Sequence, residues 1–155
     1  MRMSALFFGL GIGFILLFSI VGIGLYVLKS LGLYTMATKR DIENAWLAWI
    51  PIGDLHIIGK LVGPFNISTF KLDNPEVILP ISGAIALVCG AIPLIGWLIA
   101  TASYVLYCFA IYNLFIEYDE EHSVLFIILS IIFHVEGIFY FIMRNNNHKK
   151  NINIL

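Results

Sequence analysis

The sequence predicts an all-α, polytopic membrane protein with four to five hydrophobic helices. Hydrophobic residues make up 60% of its 155 residues and charged residues 12%. That charged share is about half of what soluble domains carry. Several apolar runs approach or exceed the ~20 residues that a helix needs to cross a bilayer. We therefore expect one integral membrane domain over residues 1–155.

Residues 5–28 are the first predicted span. A basic Arg2 precedes them, as in a signal peptide, but the run is longer than the ~7–15 residues of a signal h-region. No small-residue cleavage site closes it, so we expect a retained anchor followed by a polar connector over 29–43. Gly9 and Gly13 lie one turn apart, a spacing that lets a second helix approach closely.

Residues 44–63 are apolar but broken, and they predict two short helices that meet at a bend. Pro51 can open a helix, because the first helical position does not need its missing N–H. Gly53 completes this structural turn. The segment is therefore either a broken crossing or a re-entrant loop, and a polar loop over 63–74 follows it.

Residues 77–92 and 97–116 predict a helical hairpin over 77–116. One continuous helix would be ~60 Å long, twice the hydrocarbon thickness. Pro93 and Gly96 form the structural turn between the arms. The first arm carries a small-residue seam for helix packing, at Ser82, Ala86 and Gly90.

The two turns resemble each other, because AWIPIGDL at 48–55 and GAIPLIGWL at 90–98 both carry Ile-Pro with a glycine soon after. Membrane proteins use repeats of broken helices to place binding sites at mid-depth. A chance match in a chain rich in isoleucine and glycine is the alternative. Residues 123–143 are the last predicted span, and the basic tail 144–155 is expected to be flexible.

The distribution of Lys and Arg predicts the orientation. If residues 44–63 cross, there are five spans, with six of these cations inside and three outside; without that crossing the numbers are five and four. We therefore predict a multi-pass cell-membrane protein with its N-terminus outside and its C-terminus cytoplasmic. The cost of placing Asp54 at mid-depth argues against the crossing.

Trp46, Ile50-Pro51, Asp54 and Val62-Gly63-Pro64 resemble the core motif of a family of small, uncharacterised bacterial integral membrane proteins. That motif reads Gly-Trp, a few apolar residues, Ile-Pro-Ile-Tyr-Asn and then Gly-Lys-Pro. The similarity covers roughly residues 30–143 and includes the second Ile-Pro. Some members are associated with signal peptidase I sequences. The resemblance implies the multi-pass fold and carries no activity with it.

The chain departs from that family pattern in three places. Gly53 and Asp54 stand where the family has Tyr-Asn, and Gly96 stands where an Asn is common. The acidic run at 117–122 replaces a Phe-Gly-Lys break before the last span. The departures at Asp54 and in the acidic run change the polar groups that the motif would carry.

Four ionisable residues form a candidate intramembrane polar site: Asp54, His56, His134 and Glu136. Such residues within spans are rare and point to function by default. We hypothesise a carboxylate–imidazole pair, either Asp54 with His134 or Glu136 with His56. The pair would be a buried contact that fixes helix register, part of a proton or cation path, or a metal site. A neutral Glu136 that needs no partner is a further alternative.

The residues favour a protein without catalysis of its own, an accessory or partner-binding membrane subunit. A small transporter or channel that moves protons or cations through the four polar residues is the alternative. The sequence gives little evidence of an enzyme. A Ser–Lys pair of the signal-peptidase kind would need Lys60 or Lys71 as its lysine. The sequence predicts no cofactor and no resident metal. Its expected partners are the lipid bilayer and another membrane protein or a second copy, and a net charge of -1 without a basic stripe predicts no nucleic acid.

Overall fold

The computed structural model describes residues 2–67 and 70–146, with side chains from residue 11 onward. The regular structure of these residues is helical apart from one small antiparallel hairpin, so the all-α prediction is confirmed. The elements are α1 (Arg2–Lys39), a 3-10 helix (Ala45–Trp49), α2 (Gly53–Val62), β1 (Phe65–Ile67), β2 (Phe70–Leu72), α3 (Pro75–Cys89), α4 (Ile95–Tyr118), α5 (Ser123–Phe133) and α6 (Glu136–Met143). The tail beyond residue 146 lies outside the described residues.

Helix α1 is 38 residues long, or ~57 Å. The predicted polar connector over 29–43 is wrong for most of its length, because the helix continues to Lys39. Leu33, Met36 and Ala37 are buried at positions i, i+3 and i+4 of this extension. They form the apolar stripe of a packed helix, and α6 lies along it. The extension is helical because it has a partner to pack against.

Three helical hairpins follow α1: the 3-10 helix with α2, then α3 with α4, and last α5 with α6. The C-terminal ends of α1, α2, α4 and α6 meet at one end of the molecule, which we call the polar end. There Lys39 Nζ donates to the Arg144 carbonyl oxygen at 2.8 Å. Arg40 pairs with Glu117 at 3.6 Å and donates to the Leu61 carbonyl oxygen.

Each hairpin turns at a non-glycine residue with positive φ: Ile52 at 72°, Leu94 at 65° and His134 at 53°. Ile52 and Leu94 each follow the proline of an Ile-Pro pair. In both turns the carbonyl oxygen of the isoleucine before the proline accepts an N–H four residues on, at 3.0 Å from Asp54 and 2.8 Å from Gly96. The two Ile-Pro turns therefore share backbone conformation as well as sequence.

The last predicted span, 123–143, is not one helix. Its chain breaks at His134, whose φ is left-handed, and α6 then runs back along α1. The two helices have 11 and 8 residues, or ~16 and ~12 Å, while the hydrocarbon core is ~30 Å thick. Neither is long enough to cross.

Two described helices, α1 over Gly11–Lys39 and α4, are long and apolar enough to cross a membrane by length and composition. That is fewer than the four to five helices predicted. The difference has two causes: both 44–63 and 123–143 are split into short helices, and α3 has only 15 residues. The predicted loop over 63–74 also contains the β1–β2 hairpin, which buries Phe65 and Leu72.

The core lies toward the polar end, around the aromatic side chains of α4, α5 and α6. Phe126 and Phe139 stack with ring centroids 4.3 Å apart, and Phe115 meets Phe139 edge-on at 6.0 Å. Tyr140 is fully buried beside them. Gly32 of α1 lets this layer approach, since a Cβ there would lie 2.6 Å from the Tyr140 carbonyl carbon.

Candidate functional site

The polar groups of the interior gather around Lys29 of α1. Its ammonium nitrogen lies 2.8 Å from Asp54 Oδ2, and the two side chains are 18% and 10% exposed. A buried pair of this kind is strongly destabilised when one partner is removed, because the other charge is then left uncompensated. The pair therefore fixes α2 against α1.

Two returning helices bring carboxylates to this lysine. Asp54 is the second residue of α2 and Glu136 is the first residue of α6. Both stand in a first turn, where the helix dipole favours a negative charge. Asp54 Oδ1 also accepts the Leu55 N–H at 2.9 Å. The Ile-Pro turn and the break at His134 therefore have the same structural result. Each is followed by a helix whose first turn carries an acid beside α1.

Glu136 completes the cluster through two tyrosines. Its Oε1 lies 3.5 Å from the Tyr107 hydroxyl, which is also 3.5 Å from the Tyr140 hydroxyl. Lys29 Nζ lies 5.6 Å from the centre of the Tyr107 ring. Gly137, the next residue of α6, packs on Lys29, since a Cβ there would lie 3.0 Å from the Lys29 backbone nitrogen. We call Lys29, Asp54, Glu136, Tyr107 and Tyr140 the Lys29 cluster.

The pairings that we hypothesised from the sequence are not the ones that form. Asp54 pairs with Lys29, and His56 Nδ1 lies 2.7 Å from the Glu76 carbonyl oxygen. A carbonyl only accepts, so Nδ1 carries the proton of this bond. His134 stacks on Tyr104, with ring centroids 6.2 Å apart. The chain turns at His134, which packs against Tyr104 of α4, while Lys29 of α1 reaches Asp54.

The residue that sequence reasoning missed is Lys29. It lies where we predicted a polar connector, so it was counted among the loop cations. A usable signal was present, because two carboxylates inside apolar segments require a cation or a proton. Lys29 directly follows the first apolar run, where the helix of residues 5–28 could continue.

The described ranges, 2–67 and 70–146, hold no group of three His, Cys, Asp or Glu side chains arranged to take a metal ion. Cys89 and Cys108 are both free thiols. The four residues of the metal alternative are also split, since His56 is tied to α3 and His134 to α4. The Lys29 cluster therefore joins one ion pair to a second carboxylate and two tyrosine hydroxyls.

The structure shows what the predicted turn glycines and the predicted packing residues contact. A Cβ at Gly53 would lie 2.8 Å from the Leu47 carbonyl oxygen, and one at Gly96 would overlap that of Cys89, so both turns need a glycine. On the predicted seam Ser82 accepts a hydrogen bond from Ser103 at 3.0 Å. Helix α2 contacts α3 through Gly83, which the seam of Ser82, Ala86 and Gly90 did not include.

At the polar end, outside the helices that are candidates to cross, His122 forms a hydrogen-bonded ion pair with Asp119 at 3.0 Å. The hydrogen bond to Asp119, and then the charge of that carboxylate, raise the pKa of His122 above its ordinary value. His122 therefore carries its positive charge to a higher pH than a free histidine would.

Comparison of the chain with family models, curated proteins and solved structures gives no match. The resemblance to the family of small bacterial membrane proteins therefore stays a prediction.

Proposed function

We propose that this chain is a non-catalytic integral membrane protein that serves as an assembly subunit, and that it pairs through α1. One observation carries the proposal. Apolar residues along 11–24 of α1 are exposed, as at Phe14, Ile15 and Ile20. The short hairpins end below this segment, near Tyr26, whose hydroxyl donates to the Trp49 carbonyl oxygen at 2.6 Å.

The proposed embedding follows from the distribution of charge. Of nine Lys and Arg residues, Lys149 and Lys150 lie outside the described part, which leaves seven. Five of those seven belong to the polar end: Lys39, Arg40, Lys60, Lys71 and Arg144. Arg2 begins α1 at the opposite end. The positive-inside rule then supports a cytoplasmic polar end, an outside N-terminus and a cytoplasmic C-terminus.

In this embedding α1 crosses once and the α3–α4 hairpin enters and returns. The 3-10–α2 and α5–α6 hairpins enter from the cytoplasmic side and leave on it. At their tips Ile50, Pro51 and His134 are exposed, while Tyr26 of α1 donates to the Trp49 carbonyl oxygen and Tyr104 of α4 stacks on His134. Because α1 is longer than the hydrocarbon core, it tilts or extends beyond the core at its N-terminal end.

We call the exposed residues 11–24 of α1 the bare segment. Its glycines support pairing of α1. A Cβ at Gly13 or Gly24 would meet nothing within 4 Å, so packing inside the chain does not require a glycine at either position. Glycine costs about 1 kcal/mol relative to alanine in a helix interior. At ~100° per residue, Gly13 and Gly24 lie within about 20° of each other on one face. Gly9 precedes Gly13 by one turn, so three glycines lie on this face and form a stripe suited to a close helix contact. Gly11 and Gly22, which also meet nothing within 4 Å, lie on the opposite face.

A second copy of this chain is the occupant that we propose for the stripe. Two identical stripes are self-complementary about a two-fold axis. No polar group interrupts the exposed face along 11–18, which suits contact between two helices within lipid. The assembly would leave the polar end of each copy free for a cytoplasmic partner.

Cysteine cross-linking in membranes tests this pairing, in a chain that lacks Cys89 and Cys108. Ile20 and Ile15 are a matched pair, because they are the same residue type and 68% and 67% exposed. Ile20 lies about 20° from the face of Gly13, and Ile15 lies about 200° from it. We expect Ile20→Cys to give a disulfide-linked dimer, and Ile15→Cys to stay monomeric.

The Gly13→Ile substitution should abolish the cross-link through position 20, because it fills the stripe. Equal cross-linking through positions 15 and 20 would mean non-specific collision. The absence of any dimer, with the protein retained in the membrane, would mean that the stripe contacts lipid or a different protein. Either result would overturn the proposed pairing.

Movement of protons or cations through Asp54, His56, His134 and Glu136 stays the alternative function. Asp54 is held by Lys29, His56 by the α3 backbone, and His134 stacks on Tyr104. Glu136 Oε1 lies 3.5 Å from the Tyr107 hydroxyl.

A further inference from the structure

A pocket of about 440 Å³ opens at the junction between α1 and the 3-10 helix, at the polar end of the molecule. Two aromatic side chains line it, Tyr34 of α1 and Trp46 of the 3-10 helix, together with Asp41 in the turn between them. Its volume lies within the range of small-molecule sites, about 300–1,000 Å³. No residue of the Lys29 cluster lines it, so it is a separate site.

Asp41 occupies a position at which helices usually carry glycine. The turn after α1 is a Schellman motif, in which the Ile42 N–H donates to the Ala37 carbonyl oxygen at 3.0 Å. The Asp41 N–H donates to the Thr38 carbonyl oxygen at 3.2 Å, and the φ of Asp41 is 51°. A negative charge is also unfavourable here, because the C-terminal end of the helix dipole is itself negative. Helix stability therefore does not explain this carboxylate.

The cations next to Asp41 in the chain are engaged elsewhere. Lys39 Nζ donates to the Arg144 carbonyl oxygen at 2.8 Å. Arg40 pairs with Glu117 at 3.6 Å. Among the described side chains, none meets the Asp41 carboxylate as an ion-pair or hydrogen-bond partner. The pocket therefore suits a ligand that brings a positive charge.

The pocket lining supplies further hydrogen-bond acceptors. Thr38 uses its hydroxyl proton on the Tyr34 carbonyl oxygen at 2.8 Å, so its Oγ1 is left as an acceptor. Asn44 Oδ1 accepts the Trp46 indole N–H at 3.3 Å and keeps its second lone pair. A primary ammonium has three N–H donors for such oxygens, whereas a quaternary ammonium has none.

The aromatic side chains favour the same charge. The face of an aromatic ring attracts a cation, and tryptophan does so most strongly. Trp46 and Tyr34 are 55% and 40% exposed, so a ligand can reach both rings. The hydrogen bond to Asn44 ties the Trp46 indole to the turn that carries Asp41. A carboxylate, oxygen acceptors and two rings at one site together indicate a primary ammonium.

The position of the pocket along α1 indicates where this ammonium comes from. Tyr34 lies five residues from Lys39, the last residue of α1, or ~8 Å along the helix axis. The headgroup layer on each side of a bilayer is about 5–8 Å thick, and Trp and Tyr are enriched at that level. With the polar end on the cytoplasmic side, the pocket opens among the lipid headgroups. This step rests on the embedding under the proposed function, but not on the pairing of α1.

We propose that this pocket binds a primary alkylammonium group, the headgroup amine of phosphatidylethanolamine. The ammonium pairs with the Asp41 carboxylate and lies against the Trp46 ring. Its remaining N–H groups donate to Thr38 Oγ1 and Asn44 Oδ1. Binding supplies the positive charge that the C-terminal end of α1 favours, so the turn between α1 and the 3-10 helix selects the class of lipid beside it.

Native mass spectrometry of the full chain in detergent tests the site with three lipids of identical acyl chains: phosphatidylethanolamine, phosphatidylcholine and phosphatidylglycerol. We expect phosphatidylethanolamine to bind at least about tenfold more tightly than the other two, as one hydrogen bond between charged groups allows. Asp41→Asn should remove this preference, because asparagine tolerates the left-handed backbone but lacks the charge. Glu43→Gln, which removes a charge outside the pocket lining, should keep it.

The aromatic contribution has its own matched pair. Trp46→Leu should weaken phosphatidylethanolamine binding about threefold, and Trp49→Leu should leave it unchanged, since Trp49 does not line the pocket. Equal binding of the three lipids, or an unchanged preference in Asp41→Asn, would refute the site. Soluble phosphoethanolamine that binds as tightly as the lipid would overturn the lipid as the occupant, in favour of a free amine.

The test separates this site from the pairing of α1. The pocket lies within one chain, so Gly13→Ile should keep the lipid preference even where it abolishes the cross-link. Loss of the preference in Asp41→Asn should in turn leave the cross-link through position 20 intact. Release of the chain from membranes by alkaline carbonate would overturn the embedding, and with it both proposals.

Discussion

The short hairpins and the long hairpin turn in the same way but pack differently. The 3-10–α2 and α5–α6 hairpins lie along α1, while α3–α4 packs on α2 and α5. Both short hairpins begin their returning helix with an acid near Lys29, whereas α4 begins with Ile95 and Gly96. Each positive-φ turn makes a helical hairpin. In the 3-10–α2 hairpin the first-turn carboxylate of Asp54 also pairs with Lys29 of α1.

The same comparison explains why α1 has two unlike halves. Residues 30–37 are packed because the short hairpins reach them, and residues 11–24 are bare because those hairpins end near Tyr26. The glycines of the two halves of α1 differ in what surrounds them. Gly32 is required by the backbone of Tyr140, while Gly13 and Gly24 meet nothing within 4 Å.

The largest effect is expected from removing the charge that holds α2 to α1. Lys29→Met leaves Asp54 buried without its partner and should destabilise the protein by about 3 kcal/mol. Lys29→Met combined with Asp54→Asn should restore most of that loss. Unfolding in detergent, followed by circular dichroism, measures both. Lys39→Met is the control, because Lys39 is exposed at the polar end and should cost under about 1 kcal/mol. Equal stability of the single and double variants would contradict the role of the ion pair.

A smaller effect is expected from adding one methyl group to either half of α1. Gly32→Ala places a Cβ 2.6 Å from the Tyr140 carbonyl carbon, and overpacking of this kind costs about 1–3 kcal/mol. Gly22→Ala adds the same group where nothing lies within 4 Å, so it should be neutral or stabilise the helix by up to about 1 kcal/mol. Thermal unfolding of the two variants gives the comparison, and similar losses in both would mean that the bare half is packed.

The smallest effect concerns the turn that the hairpins share. Leu94 is 79% exposed with a φ of 65°, a conformation that costs a non-glycine residue about 1 kcal/mol. Leu94→Gly should therefore be more stable than Leu94→Ala by about that amount, since both remove the side chain and only glycine relieves the backbone. Denaturant titration of the two variants measures the difference. A Leu94→Gly variant no more stable than Leu94→Ala would show that the turn is unstrained.

The sequence by itself determined the helical class, the breaks at the two Ile-Pro pairs and the importance of Asp54 and Glu136. These follow from local chemistry, because Ile-Pro followed by a glycine favours a turn, whereas Pro80 lies inside α3 without ending it. A carboxylate in an apolar run needs compensation. The likeness of 48–55 to 90–98 also corresponds to a likeness of backbone, since the conformation after each proline is set within a few residues.

The tertiary structure alone decided that α1 continues to Lys39, that the chain breaks at His134 and that Lys29 is the partner of Asp54. His134 carries no proline or glycine signal, and its left-handed φ results from α6 folding back onto α1. Lys29 and Asp54 are 25 residues apart in the chain. Local patterns identify a charge that needs a partner, but which partner reaches it depends on how the hairpins pack.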